Sequence, residues 1–555
     1  MKSPARWVAL IVTLVLIWLV FYPNLFVLRD SLAGRAGWSL EHYARFAGSA
    51  ADLRALWNSV WLSTASVFFS ALIGIPLAFF FARYDFPGRR FLAALSAMPV
   101  LLPPLVGVIS FLFLYGETGF FTRGVQELFN LRAAPWRLNG AGAVLFVHAY
   151  TMYVYFFMFT SAALARLDPA VTEAASALGA SRTRAMLRIT LPMLAPAIGG
   201  AALLVFMTSM GSFSAPYVFG GGFRVLTTQI FASKLNGDLP IAAVETVILA
   251  AASIVFLVLL QRYERDRSYT GASKGNARMR LHRPATTARR VLLTLVAAAV
   301  VLLLILPHLT VLLVSFVPEG SWTTQIVPPR YSLANYRLIF GEREGLRPIL
   351  NSVVMSTWAT LANVVFALAA AYLLARRKVR ARWLINALVV LPWALPGTVL
   401  AIALASTFSV NQWYAGRFVL IGTAAILPLA YFIRNIPLVT RSTLASFQQI
   451  DPSLEEASAS LGGSGWTTWR RVLIPMVLPG LAAGALLAFV TALGEFVASI
   501  LLYTHRTRPI SLEILAQLRA FNFGAASAYA VLLIALMAVV FAYGQRAISE
   551  ERSSV

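Results

Sequence analysis

Two acidic residues lie within apolar stretches of the sequence that are long enough to cross a membrane. Glu245 occurs in IAAVETVILA and Glu495 in FVTALGEFVAS, and the position equivalent to Glu495 in the related stretch FMTSMGSFSAP is Ser212. A carboxylate inside a membrane span is costly, so each is a candidate to line a pathway and contact a cationic or hydrogen-bonding solute. A hydrogen bond to a neighbouring helix would explain either glutamate as well. Both explanations stay open at this stage.

The sequence offers little for catalysis or for a metal site. There is no cysteine, which excludes disulfides, thiolate chemistry and cysteine-ligated metals. The acidic residues of the apolar stretches do not pair by spacing, as general acid–base chemistry on facing helices would need. We therefore expect no catalytic residue, no metal and no cofactor. The five histidines are too scattered for a His-rich metal site: His42, His148, His282, His308 and His505.

One polar segment occurs twice, 283 positions apart. Residues 168–192 are DPAVTEAASALGASRTRAMLRITLP and residues 451–475 are DPSLEEASASLGGSGWTTWRRVLIP. The positions that coincide without a gap are Asp168/Asp451, Pro169/Pro452, Glu173/Glu456, Ala174/Ala457, Leu178/Leu461, Gly179/Gly462, Ser181/Ser464, Arg188/Arg471 and Pro192/Pro475.

Each copy predicts a short helix, a glycine turn and a second helix. Asp168 is a suitable N-cap, and Pro169 suits the first helical position. Gly179 can adopt the positive φ that ends a helix, and Ala174 and Ala175 give a smooth helix face that another protein can approach. A well-capped connection between spans would explain one copy. Two copies at matching spacing favour a docking function.

Composition places the chain in a bilayer, because 59% of its residues are hydrophobic and only 12% are charged. We predict an all-α integral membrane protein with twelve transmembrane helices in two homologous six-helix halves. The predicted spans lie near residues 7–28, 57–82, 91–115, 141–165, 191–213, 241–261, 290–316, 350–375, 383–408, 418–439, 474–500 and 527–546. Prolines in the third and ninth spans are expected to kink them, or to free carbonyls that line a pathway: Pro99, Pro103, Pro104, Pro392 and Pro396.

The two halves are a parallel repeat. Outside the repeated segments the halves align at an offset of 293, as in Asn58-Ser59-Val60 against Asn351-Ser352-Val353. This divides the chain into a first module (1–260), a basic linker (261–290) and a second module (291–555). The net charge of +24 collects in this linker and in loops such as 82–90 and 375–382. The positive-inside tendency then predicts that both termini, the linker and both repeated segments face the cytoplasm.

The motif E-A-A, three residues, G, about nine residues and I-x-L-P resembles the EAA loop of ABC importer permeases. The fused two-module form, and the tract 494–536, are most similar to the iron(III)-type permeases, whose relatives include the polyamine, thiamine, molybdate/sulfate and aminoalkylphosphonate permeases. The second copy departs mildly from the motif, with Ser458, Val472 and Ile474. The resemblance covers both halves. It implies the transmembrane domains of a type I importer in the bacterial inner membrane.

The resemblance also implies partners and roles. Two copies of a cytoplasmic ABC ATPase would drive transport, a periplasmic or lipid-anchored solute-binding protein would deliver the solute, and membrane lipids would surround the spans. Nucleic acid is not an expected partner. The residues that would couple to the ATPase are Glu173, Ala174, Ala175, Gly179, Pro192, Glu456, Ala457, Ser458, Gly462 and Pro475. None of the four lysines ends a G-x-x-x-x-G-K-[ST] motif, so the energy must come from a partner.

Two other functions compete with this prediction. A self-sufficient twelve-helix secondary transporter fits the parallel repeat, and YDFPGRR (84–90) distantly resembles the D-R-x-G-R loop of major facilitators. That function leaves the repeated segment unexplained. An intramembrane enzyme would need paired carboxylates or a His/Asp cluster. The identity of the solute stays open, although Glu245 and Glu495 lean towards a cation such as ferric ion, a polyamine or thiamine.

Overall fold

A computed structural model describes residues 3–34, 37–265, 286–322, 325–376, 382–409, 411 and 418–554. Within these ranges ten helices are long and apolar enough to cross a membrane, and one bent helix pair brings the number to eleven. The predicted linker lies mostly outside the described residues. The only strands in the described part form a two-residue hairpin, with β1 (Ala33–Gly34) antiparallel to β2 (Gly37–Trp38).

The first half is built from fourteen α-helices. They are α1 (Ser3–Leu16), α2 (Tyr22–Ser31), α3 (Glu41–Gly48), α4 (Ala50–Arg83), α5 (Arg89–Ser96), α6 (Pro104–Tyr115), α7 (Phe120–Leu128), α8 (Gly140–Leu164), α9 (Pro169–Ala177), α10 (Arg182–Ala185), α11 (Leu191–Met210), α12 (Ser214–Phe219), α13 (Leu226–Leu235) and α14 (Leu239–Arg265). A π-helical turn, Ile17–Phe21, joins α1 to α2, and a second, Met186–Thr190, joins α10 to α11.

The described part of the second half follows the same order, except that one helix, α15 (Thr287–Val314), takes the place of α1 and α2, and no described helix corresponds to α7. Its helices are α15 (Thr287–Val314), α16 (Ala334–Gly341), α17 (Arg343–Arg376), α18 (Arg382–Ala394), α19 (Gly397–Thr407), α20 (Ile426–Gln449), α21 (Ser453–Ser460), α22 (Gly465–Thr468), α23 (Ile474–Leu493), α24 (Val497–Leu502), α25 (Ile510–Arg519) and α26 (Phe523–Ser554). The π-helical turn before α23, Trp469–Leu473, is the exact repeat equivalent of Met186–Thr190, since both obey the offset of 283.

A described helix lies at each of the twelve predicted spans, although some bounds differ. The tenth span was predicted at 418–439, but its helix, α20, begins at Ile426 and continues to Gln449. Arg434 and Arg441 make α20 less apolar than the other long helices, and its many buried residues show that it lies inside the helix bundle. Protein surroundings compensate there for the polar side chains that lipid would not accept.

Proline breaks the third and ninth spans, as the sequence suggested. In the third span α5 is followed by a 3₁₀ turn, Met98–Leu101, and α6 starts again at Pro104. In the ninth span α18 and α19 meet at an angle of 109°, with Pro396 as the N-cap of α19. The pyrrolidine ring denies the helix one N–H donor and crowds the preceding turn, so each span breaks at this place.

Each half has a core of three packed helices. In the first half α4, α8 and α11 contact one another, and in the second half α17, α20 and α23 do the same. Close approach requires small residues: a Cβ on Gly74 of α4 would lie 2.4 Å from the Tyr153 carbonyl oxygen of α8. Tight contacts of this kind replace the hydrophobic driving force that is missing between helices in lipid.

The first helix of each half packs against the other half. α2 contacts α19, and Trp18 of the first span lies with its ring centroid 6.1 Å from that of Phe408. In the same way α15 contacts α5 and α6 of the first half. The Tyr150 hydroxyl of α8 also donates a hydrogen bond to the Leu304 carbonyl of α15. The halves are therefore joined by an exchange of their first helices.

Candidate coupling loops and translocation axis

The first repeated segment folds into the helix–turn–helix that its sequence predicts. The Asp168 carboxylate accepts a hydrogen bond from the Ala170 amide at 2.9 Å and caps α9. Gly179 has φ +82°, and the Ala180 amide donates to the Ala175 carbonyl at 2.9 Å, which closes the helix in a Schellman motif. Ser181 then caps the second helix by accepting from the Arg184 amide.

The second segment repeats this arrangement. Gly462 has φ +78°, and the Gly463 amide donates to the Ser458 carbonyl at 2.9 Å. The Asp451 carboxylate accepts from the Ser453 amide, which holds the pKa of that carboxyl below its usual value. Here the helix begins one residue later than in the first copy, so its N-cap is Pro452. We call the segments 168–192 and 451–475 loop 1 and loop 2.

Loop 2 joins its two short helices by a hydrogen bond where loop 1 has two small apolar side chains. The Ser458 and Thr468 hydroxyls are 2.8 Å apart. Their equivalents in loop 1 are the buried Ala175 and Ala185. Ser458, which departs from the motif, therefore has a hydrogen-bond partner, Thr468, in the same loop.

A second difference between the loops accompanies Ser458. A Cβ on Gly463 would lie 2.7 Å from the Ser458 hydroxyl oxygen. Loop 1 has Ala180 at this position, opposite the smaller Ala175. The second glycine of loop 2 thus makes room for the serine.

Most of the predicted coupling residues are on the surface of these loops. Glu173, Ala174, Glu456 and Ala457 are exposed, and Ala175 is buried. Pro192 and Pro475 lie at the second position of α11 and α23, directly after the two π-helical turns.

Sequence reasoning omitted two leucines from the coupling set. Leu178 and Leu461 end the first helix of each loop, and they are 88% and 89% exposed. An apolar side chain held out by a rigid cap at equivalent positions of two loops is suited to insertion into a partner. The signal was present in the sequence, since both leucines coincide in the repeat.

Loop 2 is also fastened to the second span of its half. Arg376, at the end of α17, places its Nε 2.9 Å from the Glu455 carboxylate, and its Nη2 donates to the Ile450 carbonyl at 2.6 Å. Glu455 and Glu456 are neighbours in sequence with different environments, because only Glu456 is exposed.

The two halves meet at a pair of equivalent aromatic residues. Phe213 follows Ser212 and Phe496 follows Glu495, and their ring centroids are 6.0 Å apart. Both rings are buried. Residues related by a two-fold repeat can contact each other only beside the axis that relates the halves. Ser212 and Glu495 therefore flank this axis, which we call the central axis, and the two rings fill it.

The glycine before each of these positions contacts the proline break of the opposite half. A Cβ on Gly494 would lie 3.3 Å from the Pro103 Cβ, and one on Gly211 would lie 3.5 Å from the Pro396 Cα. The two contacts are repeat equivalents of each other. They connect the broken third and ninth spans directly to the central axis.

Ser212 belongs to a buried polar cluster around His148, a residue that the sequence did not single out. The His148 Nε2 is 2.9 Å from the Ser212 hydroxyl, and its Nδ1 is 3.0 Å from Ser66 and 3.1 Å from Ser209. His148 is 1% exposed. Ser66 lies in α4, His148 in α8, and Ser209 and Ser212 at the end of α11 and in the turn that follows it, so no local spacing could reveal the cluster.

Glu495 has two partners beside the central axis. Its Oε1 accepts a hydrogen bond from the Ala498 amide at 2.9 Å, in the first turn of α24. Its Oε2 lies 3.9 Å from the Arg434 Nε of α20. The charge of Glu495 is thus balanced within the protein.

Glu245 does not join these residues. It is fully buried in α14, and its Oε1 accepts a hydrogen bond from the Ser233 hydroxyl of α13 at 2.9 Å. The structure therefore places Ser212 and Glu495 at one centre and Glu245 within the packing of the first half. No group of three His, Cys, Asp or Glu side chains in the described ranges could hold a metal ion.

A family model described as "binding-protein-dependent transport system inner membrane component" matches residues 70–269 and, again, residues 363–549. The two matches cover more than half of the chain, one in each half. The chain belongs to this family. It is an ABC importer permease, a multi-pass inner membrane subunit without enzymatic activity of its own. Proteins of the family work with an ATPase and a solute-binding protein.

Three curated relatives show which permeases this chain is similar to in sequence. A probable ABC transporter permease of Sinorhizobium fredii is 30% identical over 83% of this chain and 81% of its own length. The ferric transport system permease of Actinobacillus pleuropneumoniae is 25% identical over 95% of this chain and 76% of its own length. The sulfate transport system permease of Escherichia coli is 32% identical over 41% and 84%, so it matches less than half of this permease.

The prediction of a fused, two-module ABC importer permease is confirmed. The family match accounts for both copies of the repeated loop, which a self-sufficient secondary transporter left unexplained. An intramembrane enzyme is also inconsistent with the family.

Proposed function

We propose that this permease forms the transmembrane pathway of an importer for iron(III) or a related small solute. The observation that carries the proposal is the occurrence of loops 1 and 2, two capped helix–turn–helix segments that each hold out an exposed leucine. Two copies of a cytoplasmic ATPase dock on these loops, one on each. Movement of the ATPases on ATP binding then shifts the two halves about the central axis.

The orientation in this proposal follows from charge. Loops 82–90 and 375–382 and the segment 261–290 are strongly basic, which supports a cytoplasmic location for them, for loops 1 and 2 and for both termini. Residues 1–260 and 291–555 are the two permease modules, and 261–290 is the cytoplasmic linker. A periplasmic or lipid-anchored binding protein delivers the solute to the opposite face.

The solute class rests on similarity and not on a charged site. The ferric permease matches 95% of this chain, including both halves, whereas the sulfate permease matches 41%. Glu495 does not by itself favour a cation, because Arg434 balances its charge. Selection of the solute is therefore the task of the binding protein, and Ser212 and Glu495 shape the path beside the central axis. Glu245 supports the packing of α13 and α14.

Reconstitution into vesicles tests the proposal. The permease is combined with its cognate ATPase and binding protein, and uptake is compared for ferric iron, sulfate, a polyamine and thiamine. We expect ATP-dependent uptake of ferric iron that requires the binding protein. Uptake that persists without the ATPase would contradict the importer mechanism. Uptake of another solute alone would contradict only the assignment of iron.

A further inference from the structure

Arg434 lies inside the helix bundle of the second half without being fully enclosed. It is in α20, which contacts α17, α18 and α23, and its side chain is 31% exposed. An arginine at such a place is costly unless it is paired, and it then marks a functional position. Its partners show what that function is.

The first partner is the break in the ninth span. The Arg434 Nη1 donates a hydrogen bond to the Leu395 carbonyl at 3.0 Å. Leu395 immediately precedes Pro396, and Pro396 is the residue that contacts Gly211 of the first half. Arg434 therefore satisfies a carbonyl at the bend between α18 and α19, directly beside one contact between the halves.

The second partner is Glu495, whose Oε2 lies 3.9 Å from the Arg434 Nε. Glu495 lies between Gly494, which contacts Pro103 of the first half, and Phe496, which contacts Phe213. One guanidinium thus connects both glycine–proline contacts. The planar fork of arginine can bind two acceptors in fixed directions, which the point charge of lysine cannot do.

We propose that Arg434 is a positioning residue that holds the central axis closed, by fixing the bend at Leu395 and the Glu495 segment relative to each other. The inference rests on the proposed function, in which the central axis is the solute pathway. When α20 shifts, the hydrogen bond to Leu395 and the ion pair with Glu495 are lost together, and the two glycine–proline contacts are free to separate.

The position of α20 connects this arrangement to the ATPase. α20 ends at Gln449, and α21 of loop 2 begins at Ser453. A force on loop 2 therefore acts on the helix that carries Arg434. The equivalent residue of the first half is Thr151, whose hydroxyl bonds the Val147 carbonyl of its own helix. Only the second half has a charged connection at this position, so opening is triggered through loop 2 more than through loop 1.

Crosslinking across the central axis with a short bifunctional thiol reagent tests the proposal. The protein has no cysteine, so the double variant Phe213→Cys/Phe496→Cys reports on the closed axis without background. Arg434→Gln, added to this double variant, should lower the crosslinking rate about tenfold, as loss of one charge-assisted hydrogen bond and one ion pair predicts. Arg434→Lys should restore the rate only in part. Arg441→Gln, on an exposed face of the same helix, is the matched control and should leave the rate unchanged.

The proposal is overturned if Arg434→Gln crosslinks at the rate of its parent, or if Arg441→Gln slows crosslinking equally. If Arg434→Gln does not give a monodisperse protein, Glu495→Gln takes its place. That variant removes the ion pair but keeps an oxygen for the Ala498 amide, and an unchanged rate would again contradict the proposal. Crosslinking needs neither ATP nor solute, so its outcome is independent of whether iron is transported.

Discussion

Arg376 and Glu455 form an ion pair of 2.9 Å that ties loop 2 to the end of α17. Loop 1 has no acidic residue at the equivalent position, which is Thr172. The pair is also partly shielded from water, with side chains 11% and 27% exposed. Loop 2 is thereby held against its own half, so a force applied to it reaches α17 as well as α20.

The neighbouring glutamates of loop 2 should separate anchoring from docking. Glu455→Gln removes the ion pair with Arg376, worth about 1 kcal/mol, and should speed tryptic cleavage at Arg470 and Arg471 in the isolated permease. Glu456→Gln should not change this cleavage, because Glu456 is exposed. It should instead weaken ATPase binding. Equal cleavage of both variants would show that the Arg376 pair does not anchor the loop.

The glycine turn of loop 2 requires a left-handed backbone conformation, with positive φ, at Gly462 only. Gly462→Val should disrupt the loop, since φ +78° costs an L-residue about 1–2 kcal/mol and more for a β-branched one. ATPase stimulation and transport should fall while membrane insertion persists. Gly465→Val is the control, because Gly465 has an ordinary φ and open space around it. Normal transport by Gly462→Val would refute the assigned role of the turn.

The exposed leucines should matter for assembly and not for folding. Leu461→Ser removes a side chain that is 89% exposed, so the thermal midpoint of the isolated permease should not change. Copurification with the ATPase should decrease severalfold, and Leu178→Ser should have a similar effect. Leu128→Ser is the control, since Leu128 is 78% exposed outside both loops. ATPase retention equal to wild type in both loop variants would exclude these leucines from docking.

Thiol labelling in intact cells tests the orientation. The wild type contains no cysteine, so single substitutions give no background. Ser460→Cys in loop 2 should react with a membrane-impermeant maleimide only after the cells are opened. Ala520→Cys, between α25 and α26, should react from outside. Both residues are exposed. The reverse pattern would invert the topology and place the ATPase-binding loops on the wrong side.

The sequence by itself determined the spans, the repeat and the local form of both loops. A cap such as Asp168 and a turn such as Gly179 depend on residues within one or two helical turns, so their pattern can be read locally. Pro103 and Pro396 likewise indicated the broken spans, because a missing N–H removes a hydrogen bond from the helix in which the proline itself lies.

Only the tertiary structure decided what lies at the central axis. The contacts of Gly494 with Pro103 and of Arg434 with Leu395 and Glu495 join residues far apart in the chain. Such pairs depend on how the helices pack and on which half receives the first helix of the other. Glu495 shows the consequence. Its sequence left open a carboxylate that lines a pathway or one bonded to a neighbouring helix, and packing supplied an arginine, since a charge removed from water needs a partner wherever the fold can provide one.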